Sequence, residues 1–452
     1  MIASTIADLS EGLAAGRTTS RQLLEKCLAQ IESQDGEGAR VFLSFDATRA
    51  RAEADLYDHL RDLGKSVGPL AGIPVSIKDL FDQAGEVTTA GSIALRQAPP
   101  AAHDAPAIAR LRQAGFVIIG RTNMTEFAFS GLGINPHYGT PSNPFDRARK
   151  RVPGGSSSGA AVSITDGMAH AAIGTDTGGS CRIPAALCGI VGYKPTQSRV
   201  PRNGIVPLAS SLDSVGTLGH SVACCATVLD VLAGGIGLTV PPRPLATTRL
   251  GIPLSLVRTE MESYVGSSFE SALRCLSQAG AQLIELPFSG IESLRSINEV
   301  GSFPTIEAYA YHRKLLAAGS SSYDPRVKSR ILKGAKVNAA VYLDLLSARE
   351  SLIASAATEF LGVDALVLPT VPIVAPPLAE LEDEDRYDRT NLTLVHNASV
   401  INFLDGCAIS VPIHRRGEAP VGLTFAALAG NDPTIISIAA AAEAAFSSLR
   451  QL

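Results

Sequence analysis

Two clusters of glycine and hydroxyl residues carry the chemistry this chain could do. The first is Gly154-Gly155-Ser156-Ser157-Ser158-Gly159 and the second is Thr175-Asp176-Thr177-Gly178-Gly179-Ser180, with Ser156 and Ser180 24 positions apart. Small residues let successive backbone N–H groups converge on a space that a Cβ would otherwise fill, and such a space suits an oxyanion. A serine hydroxyl is a weak nucleophile near neutral pH, so it needs a base within hydrogen-bond reach and N–H donors for a tetrahedral intermediate. The N–H groups of Thr177, Gly178, Gly179 and Ser180 are the natural donors. Taken alone, Ser156 and Ser180 also read as ordinary loop and turn serines.

The elements around the clusters must bring them together. Ala160 to Gly174, rich in alanine, valine and isoleucine, reads as a buried helix followed by a short strand that returns the second cluster to the first. Upstream, Ile73, Val75 and Ile77 alternate with Pro74, Ser76 and Lys78, which predicts a strand with one buried face and Lys78 on the other. A lysine there can be a surface residue on an edge strand. A desolvated one instead loses several pKa units and can act as a base.

From Pro153 to Pro195 the chain resembles the amidase signature, the serine hydrolases that use a Ser-cisSer-Lys triad. GGSSSG, TDTGGS and the upstream GIPVSIKDLFD are all present, and the likeness is strong from about Leu70 to Leu218 and weaker to the C-terminus. The resemblance implies that Ser180 is the nucleophile, that Ser156, after a cis peptide bond, relays a proton, and that Lys78 is the base. It implies an oxyanion hole at Thr177, Gly178, Gly179 and Ser180, and an acyl pocket lined at Phe127, Ala128 and Phe129, an aromatic run that also reads as core. Ser157 and Ser158 would start a helix and bond to backbone. The implied fold is an α/β sandwich, a central mixed β-sheet covered by helices on both faces, and the implied reaction is hydrolysis of a carboxylic amide C–N bond through an acyl-enzyme.

Composition implies a large buried core. The 452 residues are 46% hydrophobic and only 18% charged, against a usual charged fraction near ~25%. A formal net charge of −4, with no basic block longer than Arg147 to Arg151, leaves no electrostatic footprint for nucleic acid. Seven cysteines without a C-x-x-C pair read as buried thiols in a reducing compartment. No signal peptide and no apolar run of the ~18 residues a membrane span needs can be read, so a cytoplasmic protein is expected. Neither a metal nor a nucleotide cofactor is expected: the eight histidines show no H-x-x-x-H spacing, and no GxxxxGK[ST] or GxGxxG occurs.

In chain order, one amidase domain over 1–452 is expected, with an N-terminal helical layer over about 1–65, a signature core over about 70–220 and a Pro-Gly connector at 234–248. Thr18 or Thr19 and Asp46 are expected to cap helices of the first layer, and Asp104 another over Ala105 to Gln113. A helical block follows over Thr305 to Leu361, an acidic loop over Glu380 to Arg389, and late strands at Cys407 to Pro412 and Val421 to Ala426. Arg182, Asp176 and Asp213 are expected to pair around the site in structural roles.

Two rival readings stay open. Gly155-Ser156-Ser157-Ser158-Gly159 also matches the G-x-S-x-G elbow of α/β-hydrolases, an esterase reading with Ser157 as nucleophile and His396 or His414 as base; that elbow should follow a buried strand, and Arg149 to Pro153 is not one. The other keeps the fold and makes the chain the glutaminase-type A subunit of a tRNA-dependent amidotransferase. A small-molecule amide is the expected substrate, with no nucleic acid or membrane partner; a homodimer is left open, as is a small partner protein.

Overall fold

A computed structural model of the chain describes residues 4–237, 240–257, 261–288, 290, 302–319 and 322–451. Among the described residues eleven strands form one sheet: β1 (Phe42–Phe45), β2 (Pro74–Lys78), β3 (Val117–Thr122), β4 (Ala171–Asp176), β5 (Val191–Lys194), β6 (Ser214–Gly219), β7 (Arg249–Pro253), β8 (Gln282–Leu286), β9 (Ala365–Pro369), β10 (Cys407–Pro412) and β11 (Gly422–Ala427). Their order across the sheet is β1-β3-β2-β4-β6-β5-β10-β11-β9-β7-β8. The sheet is mixed. β2 runs parallel to β3 and β4, and β7 to β8 and β9, while the remaining neighbours are antiparallel.

Helices cover both faces. Val75, Ile77, Ala171 and Ile173 pack with the helix Val222–Leu232 and with Ile435, Ile438 and Phe446 of the last helix. On the opposite face Ala172 packs with Ala160, Ala161 and Ile164 of the helix Ser158–Thr165, and with Leu24 and Leu28 of an N-terminal helix. Each fully buried valine or isoleucine contributes roughly 1.5–3 kcal/mol. The alternation expected for β2 therefore holds, but both of its faces are sealed: Ser76 Oγ lies 2.9 Å from Ser163 Oγ, and Lys78 is wholly buried.

The N-terminal layer follows its caps. Thr19 accepts from Gln22 N to begin the helix Ser20–Ile31, and Asp46 accepts from Arg49 N to begin Ala47–Asp62. Asp104 does not cap. The helix it precedes starts at Pro106, whose fixed φ presets the first turn, and the Asp104 carboxylate instead accepts from Ala84 N at 2.8 Å and Arg112 Nε at 3.1 Å. The acidic segment is not a loop either. From Glu384 it is the first turn of the helix Glu384–Phe403, capped by Asp383, and its acidic residues stand where the helix dipole favours negative charge. Within the connector 234–248, Leu245–Thr247 forms a short turn of helix, and 238–239 lie outside the described residues.

Candidate active site

Lys78 ends β2 and Asp176 ends β4, neighbouring parallel strands in which Ile77 stands beside Ile173. Sites form outside the carboxyl ends of such strands. With no exposed surface, Lys78 places Nζ 2.7 Å from Ser156 Oγ and 3.0 Å from Thr175 Oγ1, hydrogen-bonded to both. Burial draws its pKa down to about 8, against the opposing pull of Cys181, Asp213 and Asp176.

The serine run folds around that amine. The Gly155–Ser156 peptide bond is cis. A Cβ at Gly155 would lie 2.5 Å from Gly133 N, so only glycine allows the two strands of loop to approach. Ser156 O accepts from Thr125 N at 3.1 Å, which ties the run to the turn at Phe127. Ser157 N donates to Ser180 O at 3.2 Å and joins the two clusters. Ser157 Oγ donates to Thr175 O at 3.3 Å and Ser158 Oγ to Asn123 O at 3.5 Å, the backbone-bonding roles expected of them.

Beneath the second cluster lies a sealed ion pair. Arg182 reaches Asp176 through Nη2 at 2.9 Å and Nε at 3.1 Å, and Asn402 Nδ2 donates to the same carboxylate at 2.9 Å. Burial would raise the Asp176 carboxyl, but Arg182, Lys194 and Asn402 outweigh it and hold the group well below the usual range. Asp213 does not join this pair. It accepts from Thr177 Oγ1 at 2.5 Å and from the N–H groups of Leu208 and Ala209, and burial pushes it up to about 6 against those hydrogen bonds. Asp176 Oδ1 also accepts from Gly179 N at 2.9 Å. Of the four amides expected to face an oxyanion, that of Gly179 is therefore already committed; Thr177, Gly178 and Ser180 line the cavity, and Gly179 does not. At Gly179, with φ +115°, a Cβ would meet Ala398 Cβ at 2.5 Å.

Ser180 opens onto a largely apolar cavity of about 580 Å³. Ala128 and Phe129 line it as expected, whereas Phe127 faces away and packs against His312 and Tyr323, with ring centroids 4.3 and 5.1 Å apart. Phe127 and Ala128 both hold left-handed backbone, φ +49° and +60°, and Phe127 N donates to Ala90 O. In an L-residue this conformation crowds Cβ, and the side chains of consecutive residues here diverge, one to the core and one to the cavity. Beside His396 of the elbow reading, most of the remaining lining comes from residues that carried no motif, Leu208, Leu212, Phe303, Arg330, Lys333, Asn391, Val395 and Phe403 among them. Their only sequence signal is the spacing Asn391, Val395, Ser399 along one helix face.

His396 Nδ1 bonds to Asn397 Oδ1 at 3.0 Å and His414 packs beside Gly189. Ser157 is fully buried and follows no strand, so the elbow geometry is not formed. Among the described residues no group of three His, Cys, Asp or Glu side chains is placed to hold a metal ion, and no helix is long and apolar enough to cross a membrane. All seven cysteines are free thiols.

The family model described as Amidase matches residues 22–436. The chain is 36% identical to 2-amino-5-chloromuconic acid deaminase of Comamonas testosteroni, over 97% of this chain and 96% of the relative. It is 33% identical to the A subunit of glutamyl-tRNA(Gln) amidotransferase from Roseiflexus sp. (strain RS-1), over 96% and 94%. A crystal structure of an amidase superposes with a TM-score of 0.88 at 31% identity, over 98% of this chain and 99% of that one.

Proposed function

The chain belongs to the amidase family and hydrolyses amide C–N bonds, and we propose that it does so with Ser180 as nucleophile, Ser156 as proton relay and Lys78 as base. The observation that carries this reading is the buried Lys78 amine, hydrogen-bonded to Ser156 while Ser157 N ties that loop to Ser180.

A neutral Lys78 takes the Ser156 proton as Ser156 takes that of Ser180, and the Ser180 oxygen attacks the amide carbonyl. The carbonyl oxygen becomes an oxyanion held by the N–H groups of Thr177, Gly178 and Ser180. The ammonium of Lys78 then returns the proton through Ser156 to the leaving nitrogen, the C–N bond breaks, and ammonia or an amine departs. Water repeats the sequence on the acyl ester and frees the acid. The relay asks for one contact that the structure does not contain, a hydrogen bond between the Ser180 and Ser156 hydroxyls, of a kind that tightens when substrate binds.

A second reading, the glutaminase component of an amidotransferase, is supported by the likeness to the A subunit of that enzyme. Under it the chain would need a partner protein, whereas the first reading expects turnover by the purified chain alone. A slowly hydrolysed ester tests both parts: the acyl mass is expected on the peptide containing Ser180, and to vanish in Ser180→Ala. An adduct on Ser157, or none without an added partner, would replace the proposal.

A further inference from the structure

The helix Pro325–Lys333 presents two cations, Arg330 and Lys333, to the same cavity, three residues apart on one face. They are not equivalent. Arg330 is spent: Nη1 donates to Phe129 O at 2.9 Å, Nη2 donates to Asp388 Oδ1 at 2.5 Å, and the guanidinium stands over the Tyr387 ring. Asp388 is the only carboxylate among the described residues of the cavity lining, so these two charges cancel. No carboxylate lies within ion-pair distance of Lys333 among the described residues, and the residue is exposed while lining the cavity. The lining that Lys333 shares with Ser180 is largely apolar, with Phe129, Leu212, Phe303, Val400 and Phe403 in it beside polar groups such as Thr305, Asn391 and His396.

From this arrangement we infer that the cavity selects amides with an apolar body and an anionic end, a carboxylate in the simplest case, and that Lys333 reads that end. The inference rests on this cavity being the acyl site of the reaction proposed above. A ligand carboxylate there gains a charge-assisted hydrogen bond from a cation that no carboxylate among the described residues engages. An ammonium-ended or zwitterionic ligand finds no unpaired carboxylate in the described lining to match its positive group. Lys333 is thus a specificity residue, and it takes no part in the proton transfers.

The test compares the monoamide of adipic acid, hexanamide and ω-aminohexanamide, substrates of similar length whose far ends are anionic, neutral and cationic. The wild-type protein should favour the anionic amide in kcat/KM, mainly through KM. Lys333→Met should lower the anionic-to-neutral ratio about tenfold, Lys333→Arg should retain most of it, and Lys333→Glu should turn the preference toward the cationic amide. Calorimetry on Ser180→Ala with the same three amides reads binding without turnover, and so separates this inference from the choice of nucleophile. A wild-type protein that favours hexanamide, or a ratio unmoved in both Lys333→Met and Lys333→Glu, would overturn it.

Discussion

Two lysines, Lys78 and Lys194, are sealed from water in this protein, and burial draws both down to about 8. Their partners differ. Lys78 meets two hydroxyls, Ser156 and Thr175, whereas Lys194 meets two backbone carbonyls, Pro195 at 2.8 Å and Gly406 at 2.5 Å. A carbonyl only accepts, so Lys194 can serve as a double donor that ties β5 to the turn before β10, and neither of these partners has a proton to give its amine. A hydroxyl both gives and accepts. Desolvation makes a base of either lysine; the hydrogen-bond partner decides whether that base has a proton to take.

The comparison breaks most visibly in turnover. Lys78→Met should lose at least ~10³-fold in kcat, as members of such triads do, and Lys78→Arg should not restore it because guanidinium stays charged. Steady-state kinetics on the folded variants checks this. Turnover within tenfold of wild type would put Lys78 in the same structural class as Lys194.

The pH dependence of stability follows from the same depression. With a folded pKa of about 8 and an unfolded one near 10.4, the unfolded state holds more protons between those values, so the Lys78 contribution to stability rises with pH across that window and is least favourable below pH 8. Removing the amine should therefore stabilise the protein by up to about 3 kcal/mol below pH 8, with the difference from wild type fading towards pH 10.4. Paired melting profiles of wild type and Lys78→Met report it, and a pH-independent difference would mean that the lysine is not desolvated.

Lys194→Met should act the other way on the two readouts. It leaves the carbonyls of Pro195 and Gly406 unsatisfied, at roughly 1–3 kcal/mol each, against which the relieved burial of the charge counts at low pH. Denaturant unfolding near pH 9 should show net destabilisation, while kcat per folded molecule stays near wild type. A loss of kcat comparable to that of Lys78→Met would erase the distinction between the two sites. The smallest effect belongs to Thr175, whose hydroxyl accepts one N–H of Lys78 and so aims the lone pair towards Ser156. Thr175→Val should cost about tenfold in kcat, one hydrogen bond's worth, and Thr175→Ser should recover most of it.

Much of the proposed site was legible in the sequence through the likeness of GGSSSG, TDTGGS and GIPVSIKDLFD to the amidase signature, since each serine taken alone also reads as a loop or turn residue. Lys78, Ser156 and the Ser180 loop could be named before the fold was known, and the period of two in β2 put Lys78 on the strand face opposite Ile73, Val75 and Ile77. What stayed hidden was contributed at a distance. Thr175 reads as a strand residue until β4 is laid beside β2. Arg330, Lys333 and Phe403 reach the cavity from helices whose register on the sheet no local pattern records. The acidic run at Glu384 misled because charge marks both a solvated loop and a helix N-terminus, and Asp383 as its cap decides between them. Gly179 misled for another reason: a glycine in an oxyanion loop suggests a free N–H, and only the folded position of Asp176 shows where that N–H goes.

The most direct test of the claim that Lys78 acts on Ser180 is the rate at which a fluorophosphonate modifies the protein as a function of pH, in wild type and in Lys78→Met. The wild-type rate should climb about tenfold per pH unit and level off above a midpoint near 8, the folded value of Lys78, with a single adduct on the peptide containing Ser180. Lys78→Met should lose that rise and react slowly throughout. An identical profile in both proteins, with a midpoint near the histidine value of about 6.5 or an adduct on Ser157, would contradict the account.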